Sequence, residues 1–421
     1  MIVYGAVWHP ASDNLGDDLK ALAARSLMPR VDVVLDAERL DAVEGIAEDA
    51  RLVTILAGNV YRRADHWPPD RRMAPVCVGL HFSAESTWGV PLSRLGGAGL
   101  QFLRQWAPIG CKDEATRALL EKLGLPCEVT GCLTLTLPRP AVKVKEHYVC
   151  CVDAPEEIVK LLTPMAEAEG VQVRVMTHQR RGEPGTYERR LEAAQQVVDA
   201  YAGAEFVITR RLHCAMACLA VGTPVLLLYN EYYEDITRFA PMDGMVRAMP
   251  AEAFAAQLRQ EGFPEKWENP DQAAQWREKT IARVKRGLQY AETAPMNNPS
   301  EEAAAAWRRT AQEDMIAYSL GKLRRLELEQ VERLHEKFSQ LLREDGVRTV
   351  LEDVLAEKAV QRALARVNRK RELKKLPLLK RPAAWLEMIR SKEPAALSEQ
   401  VGSEVASLGW PDHDDMLRLG E

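Results

Sequence analysis

No stretch of this chain approaches the roughly 20 consecutive apolar residues that a membrane-spanning helix requires. No Cys-x-x-Cys pair occurs, and no nearby cluster of His or Cys completes a metal site. Gly96-Gly97-Ala98-Gly99 reads as a flexible loop and lacks the Lys-Ser/Thr that would make it a Walker phosphate loop. Neither a Gly-x-Ser-x-Gly nucleophile elbow nor a His-Glu-x-x-His zinc helix is present. Charge of one sign is missing too. Lys and Arg total 56 against 61 Asp and Glu, a formal net charge of −5, so electrostatics gives no case for a nucleic-acid partner. The opening run Met1-Ile2-Val3-Tyr4-Gly5-Ala6-Val7 is apolar, but it is short for a signal sequence and has no basic flank. It reads as a first strand, and a cytoplasmic location is the expectation.

What is present suits a large globular protein. The 421 residues, 47% hydrophobic and 28% charged, exceed what one core usually serves, so two or three domains are expected. The eight cysteines read as reduced, mostly buried thiols. Adjacent Cys150 and Cys151 would point to opposite faces of a strand, and Cys214 and Cys218 share a helix face.

From residue 1 to about 290, apolar runs alternate with helical patterns. The runs are Ile2-Val7, Val31-Leu35, Leu52-Leu56, Val76-Leu80, Tyr148-Val152, Val171-Met176, Phe206-Thr209 and Pro224-Leu228. They are continuous rather than alternating, as strands covered on both faces of a parallel sheet should be. Helices such as Glu114-Leu123 and Tyr187-Ala202 lie between them. The alternation implies right-handed crossovers and an α/β, doubly wound architecture. Leu137-Pro138-Arg139-Pro140 interrupts it, and the pattern restarts at Tyr148. Two Rossmann-like lobes, residues 1–140 and 141–296, follow as the simplest reading, with a ligand cleft between them.

A second boundary falls at Asn297-Asn298-Pro299-Ser300, where Ser300 can cap a helix that has Glu301 and Glu302 in its first turn. Residues 297–421 then read as a helical extension. Ile316, Leu320 and Leu323, then Val331, Leu334, Phe338 and Leu341, recur at helical spacing. Residues 362–381 are basic with interleaved leucines. They fit a solvated helix face first, and contact with an anionic membrane surface or glycan second. A membrane-peripheral or homo-oligomeric contact through this tail is the corresponding partner expectation.

The segment richest in chemistry runs from Glu205 to Leu228: strand, basic turn, helix, Gly-Thr-Pro turn, strand. It places Arg210, Arg211 and His213 just past the carboxyl end of a buried strand, where α/β sheets bind ligands. His213 also stands at a helix start, where free N–H groups favour an anion. Two guanidinium groups there suit phosphate or carboxylate. The alternative is that these residues cap the helix and pair with surface acids. Trp67-Pro68-Pro69 suggests a stiff loop at the cleft rim, and His9, His66, His81 and His178 read as isolated histidines.

Thr209-Arg-Arg-Leu-His-Cys-Ala215, followed by Gly222-Thr-Pro224, resembles the signature of the polysaccharide pyruvyl transferases in order and spacing. Asn14-Leu-Gly-Asp-Asp18 resembles that family's early Asn-x-Gly-Asp motif. Gly110-Cys-Lys-Asp-Glu-Ala-Thr116, running on to Val129-Thr-Gly-Cys132, resembles its middle Arg-Asp stretch. The resemblance covers roughly residues 1 to 290. It implies a two-lobed fold of the GT-B glycosyltransferase type. It also implies transfer of the enolpyruvyl part of phosphoenolpyruvate to two hydroxyls of one sugar, giving a pyruvate ketal in surface or exopolysaccharide biosynthesis. No metal or other cofactor is implied; phosphoenolpyruvate is the co-substrate, and a glycan or lipid-linked oligosaccharide is the acceptor.

Carried over residue by residue, the resemblance makes His213 and Arg211 catalytic. His213 would protonate the methylene carbon or bind phosphate as imidazolium. Lys112, Asp113, Arg210, Arg238, Asn14, Gly16 and Asp17 would bind substrate, with Lys112 and Arg211 facing each other across the groove. The chain departs from the pattern in having Lys112 for Arg, Cys214 for Gly, and no Lys after the last sheet strand, where Arg238 is the substitute. Two other readings remain: a glycosyltransferase using a nucleotide sugar held by Glu231 or Glu234, and a degraded, non-enzymatic transferase that serves the tail as a scaffold.

Overall fold

The computed structural model describes residues 1–59, 66–82, 95–139, 146–180, 185–229, 244–265 and 267–313. They build two parallel sheets. The first holds β1 (Ile2–Trp8), β2 (Val33–Asp36), β3 (Arg51–Gly58), β4 (Met73–Leu80), β5 (Ile109–Cys111) and β6 (Cys127–Val129), in the order β2-β1-β3-β4-β5-β6. The second holds β7 (Tyr148–Val152), β8 (Gln172–Met176), β9 (Val207–Thr209), β10 (Val225–Tyr229) and β11 (Arg247–Pro250), in the order β11-β10-β9-β7-β8. The α/β reading therefore holds, and every apolar run named above contains a strand. β5, β6 and β11 are additions. The first two have three residues each, and the residues of β11 are exposed or half-buried, so none registers as an apolar run.

Helices fill the crossovers: α1 (Leu15–Leu27), α2 (Gly97–Gln105), α3 (Glu114–Lys122), α4 (Glu156–Ala168), α5 (Tyr187–Gly203), α6 (Leu212–Val221), α7 (Ala251–Glu261) and α8 (Gln272–Thr293). The second sheet is apolar on both faces. Val149, Cys151, Ile208, Leu226 and Leu228 form one cluster with α4 and α7. Tyr148, Cys150, Val152, Val207, Val225 and Leu227 join α5, α6 and the first sheet's core in another. Cys150 and Cys151 thus part to opposite faces, as strand geometry demands. α6 is apolar nearly all round and buried accordingly. Each of its fully buried large side chains contributes about 1.5–3 kcal/mol. Both sheets belong to one compact unit, Met1–Tyr318, while residues 314–421, with the helical spacing from Ile316 onward and the basic run, lie outside the described residues.

The chain after the second sheet returns to the first. On α8, the Thr280 hydroxyl donates to the Thr130 carbonyl at 2.9 Å, and Arg283 donates to the Pro108 carbonyl at 2.8 Å and pairs with Glu128. Asn298 then donates to the Met73 carbonyl at 2.7 Å and accepts from the Trp106 indole at 2.8 Å, so the Asn297–Ser300 boundary is tied to the first sheet. The Ser300 hydroxyl accepts from the Ala303 N–H at 3.2 Å, capping a helix over 301–313. On that helix Trp307 lies against Gly96, Gly97 and Gly99, and a Cβ at Gly97 would fall 2.6 Å from its ring. The glycine run is therefore a seat for an indole rather than a flexible loop. Trp67 also departs from the sequence reading. It is 1% exposed, with its indole donating to the Gly99 carbonyl at 3.1 Å and its ring edge-on to Phe102, so it belongs to the core rather than a cleft rim. No helix among the described residues is long and apolar enough to cross a membrane.

Candidate functional site

Each sheet reverses its direction of strand addition once, between β1 and β3 in the first and between β7 and β9 in the second. Ligands of open α/β sheets bind beyond the carboxyl ends of strands at such points. Here the two points are joined. The loop after β1 meets the loop after β8 through Leu15 N–H to the His178 carbonyl at 2.8 Å and Arg180 N–H to the Asp13 carbonyl at 2.7 Å. Buried Asp18 pairs with Arg180 and with Arg190, the latter at 2.8 Å. Arg190, 3% exposed, also donates to the carbonyls of His9, Pro10 and Ser12.

Across that junction His213 meets Gly16. A Cβ on Gly16 would lie 2.3 Å from His213 Nδ1, so only glycine admits the ring. The ring is half-buried, but Nε2 is covered and has no hydrogen-bond partner among the described residues. Burial, then the charges of Lys112 and Lys20, with a smaller push from His178, hold His213 well below its ordinary 6.5, against the opposing pull of Asp17. The unliganded ring is therefore neutral near neutral pH. The charge of Lys112, just past the carboxyl end of β5, thus acts on His213 at the start of α6.

Lys20 was not legible as a site residue. It lies on α1, one turn after Asp17, and pairs with it at 2.7 Å, with 11% of its side chain exposed. Gly58, at the end of β3 with φ +79°, makes room for its ammonium: a Cβ there would fall 2.5 Å from Nζ. Burial works against charge on Asp17, but Lys20, His9 and the Ser12 hydroxyl, which donates at 2.5 Å, outweigh it and hold the carboxyl far below its usual range.

Arg211 is the N-cap residue of α6, and its side chain makes no capping hydrogen bond to the helix. The Arg211 Nε donates to Asp153 Oδ2 at 2.7 Å, and the side chain is 41% exposed, so this is no buried structural pair. Asp153, at φ 48° just past β7, also accepts from the Thr177 hydroxyl at 2.6 Å and the His178 N–H at 2.9 Å. Arg210 is half-buried between β9 and α6. Gly222 ends α6 in the left-handed region at φ 75°, and the Thr223 hydroxyl donates to the Tyr201 carbonyl at 2.8 Å, so the Gly-Thr-Pro piece builds the turn into β10 rather than the site. Cys214, one residue past His213, is fully buried.

Two sequence-predicted residues hold helix ends. Asn14 Oδ1 accepts from the Gly16 N–H at 3.0 Å and caps α1. Asp113 Oδ1 accepts from the Thr116 N–H at 2.7 Å and caps α3, while its Oδ2 lies 2.8 Å from His81 Nδ1. Burial raises the Asp113 carboxyl, but His81 and Thr116 outweigh it and the net shift is downward. Arg238, Glu231 and Glu234 lie outside the described residues.

Residues 101–232 match the family model of the polysaccharide pyruvyl transferases. The matched stretch carries Lys112, Asp113, Arg210, Arg211, His213 and the Gly-Thr-Pro turn, and it leaves out the pyruvyl-transferase-like Asn14-Gly16-Asp17 motif and Arg238. No curated protein matches the chain. Among solved structures, an uncharacterised protein of Klebsiella pneumoniae is 14% identical, covering 56% of this chain and 86% of its own, with a TM-score of 0.34. The UDP-GlcNAc 2-epimerase of Methanocaldococcus jannaschii, solved with UDP-GlcNAc and UDP, is 11% identical, covering 69% of this chain and 100% of its own, with a TM-score of 0.36. Among the described residues, no group of three or more His, Cys, Asp or Glu is placed to hold a metal ion.

Proposed function

We propose that this site transfers the enolpyruvyl group of phosphoenolpyruvate to two hydroxyls of a glycan, closing a cyclic pyruvate ketal and releasing phosphate, within a two-lobed GT-B-type fold. One observation carries the reading: the charges of Lys112, just past a strand end, and of Lys20, on a helix, both act on His213, a half-buried imidazole at the start of α6. A donor with a phosphate and a carboxylate needs several cationic or N–H partners. Lys112, Lys20, Arg210, Arg211 and the first N–H groups of α6 supply them.

His213 is the general acid. The incoming anions offset Lys112 and Lys20, its affinity for a proton rises, and it delivers that proton to the methylene carbon. A sugar hydroxyl adds to the cationic carbon, and the fixed charges stabilise the departing phosphate. Gly16 and Asp17 hold the ring and Lys20 in register, while Asn14 and Asp113 fix the helix ends that carry them. The acceptor is a glycan or a lipid-linked oligosaccharide.

The test is incubation of purified protein with phosphoenolpyruvate and a panel of glycans bearing free diols, read by phosphate release and by the ketal methyl signal in NMR. Activity with nucleotide sugars instead, or no phosphate and no ketal with any acceptor, rejects the reading.

A further inference from the structure

A second histidine stands in the same place for a different reason. His81 follows β4, and its backbone N–H donates to the Gly58 carbonyl at 3.0 Å. Its Nδ1 lies 2.8 Å from Asp113 Oδ2, with 36% of the His81 side chain and 9% of the Asp113 side chain exposed. A carboxylate whose proton affinity is lowered accepts rather than donates, so Nδ1 carries the proton and the Nε2 lone pair is left available. Asp113 cannot swing away. Its other oxygen caps α3, and the Thr116 hydroxyl holds the Phe82 N–H at 3.2 Å, beside His81.

The location is fixed from both sides. Gly58, which His81 contacts, is the residue against which the Lys20 ammonium rests. Lys112 precedes Asp113 in sequence, and its N–H donates to the Leu80 carbonyl at 2.7 Å, next to His81. Both lysines act on His213. The backbone neighbours of His81 thus belong to the strand ends that carry Lys112 and seat Lys20. An oriented acid–imidazole pair, aimed outward from a strand end, is the arrangement by which proteins make a general base.

We infer that His81, oriented by Asp113, is the base that deprotonates the acceptor hydroxyl, which rests on the pyruvyl-transfer reading above. The hydroxyl oxygen bonds to the central carbon of the enolpyruvyl group as its O–H bond breaks, and the proton passes to His81 Nε2. When the bond from that carbon to the phosphate oxygen breaks, the oxygen keeps the electron pair and phosphate leaves; the second hydroxyl oxygen then bonds to the same carbon as its own O–H bond breaks. Of the two hydroxyl protons, one replaces the proton His213 gave to the methylene carbon and the other departs with phosphate through His81. His81 is catalytic, and Asp113 is its positioning residue.

The experiment compares the wild type with His81→Ala, His81→Gln and Asp113→Asn, using phosphoenolpyruvate and methyl glycosides bearing a vicinal diol. His81→Gln keeps a donor for Asp113, and Asn caps helices as Asp does, so both variants fold. The expected result is a fall in kcat of about 100- to 10,000-fold in both His81 variants, with the KM for phosphoenolpyruvate unchanged. Added imidazole revives His81→Ala, and Asp113→Asn falls between. A His81→Gln variant within threefold of wild-type kcat, a loss in KM rather than kcat, or a His81→Ala variant that imidazole leaves inactive overturns the base alone. A wild type that neither binds nor consumes phosphoenolpyruvate overturns the pyruvyl-transfer reading, and the base with it.

Discussion

Replacing Gly16 by alanine isolates the one contact on which the site's geometry turns. The new Cβ would sit 2.3 Å from His213 Nδ1, 2.9 Å from Cγ and 3.1 Å from Cβ. Moving the ring from 2.3 Å to an ordinary contact of 3.4 Å displaces it roughly 1 Å, a misplacement that costs on the order of 100-fold in rate. Backbone strain does not contribute, because Gly16 lies within α1 and has no left-handed φ. Alanine gains up to about 1 kcal/mol of helix propensity over glycine, while overpacking costs about 1–3 kcal/mol. The net loss of about 1 kcal/mol lowers Tm by only about 2–4 °C in a unit this size. The assay is phosphate release from phosphoenolpyruvate beside a thermal melt. A variant with Tm within 5 °C of wild type that keeps a third of its kcat would refute the placement of His213 at the chemistry.

Phosphoenolpyruvate binding takes up a proton. The free ring lies below 6.5 and is neutral near neutral pH, and the dianion lifts it, so calorimetric heats should depend on buffer ionisation enthalpy with a positive slope of up to about one proton; a flat dependence sinks the claim. Asp153→Asn tolerates the φ of 48° but releases Arg211, and KM for phosphoenolpyruvate should rise about tenfold at little cost in Tm. The Asp153 carboxyl is shifted up by burial but further down by Thr177, His178 and Arg211, so its contribution to stability is complete above the unfolded carboxylate range and fades as pH drops through its lower folded value. Comparing acid melts of Asp153→Asn and wild type should therefore show the two converging as pH falls. Trp307→Ala empties the seat on Gly96, Gly97 and Gly99 and should cost about 2 kcal/mol, with faster proteolysis in residues 300–313; unchanged cleavage would mean the indole anchors nothing.

The sequence displayed the sheets better than the site. Tyr148–Val152 and Leu52–Leu56 announce themselves because strands covered on both faces need no polar alternation, whereas Ile109-Gly110-Cys111 is too short to show a period. His213 and Arg211 were legible because a fixed spacing carries them. Lys20 was not, because a lysine one turn from an aspartate on an amphipathic helix looks like an exposed pair until Gly58 is seen to make room for its ammonium. Asp153 and His81 each stand directly after a strand, and that position was the available signal. What hid their roles was partnership: Arg211 lies 58 residues from Asp153, and Asp113 lies 32 from His81, and neither distance leaves a trace in local pattern.

The electrostatics explain why two histidines stand where one motif supplies only one. On the pyruvyl-transfer reading, Lys112 and Lys20 hold the donor's anionic groups, yet the same charges strip the proton from the imidazole that donates it. A permanently protonated acid is incompatible with that cluster, because burial and two cations both oppose it. The conflict resolves only when the donor arrives and cancels the lysines, so the acid is created by substrate binding and is absent before it. The base has no such conflict. His81 is more exposed, and its orientation comes from Asp113, whose carboxylate is fixed by a helix cap regardless of what the site holds. One histidine therefore changes state with the donor while the other is set by the fold. If so, removing the Lys112 charge should raise the proton affinity of free His213 in an NMR titration.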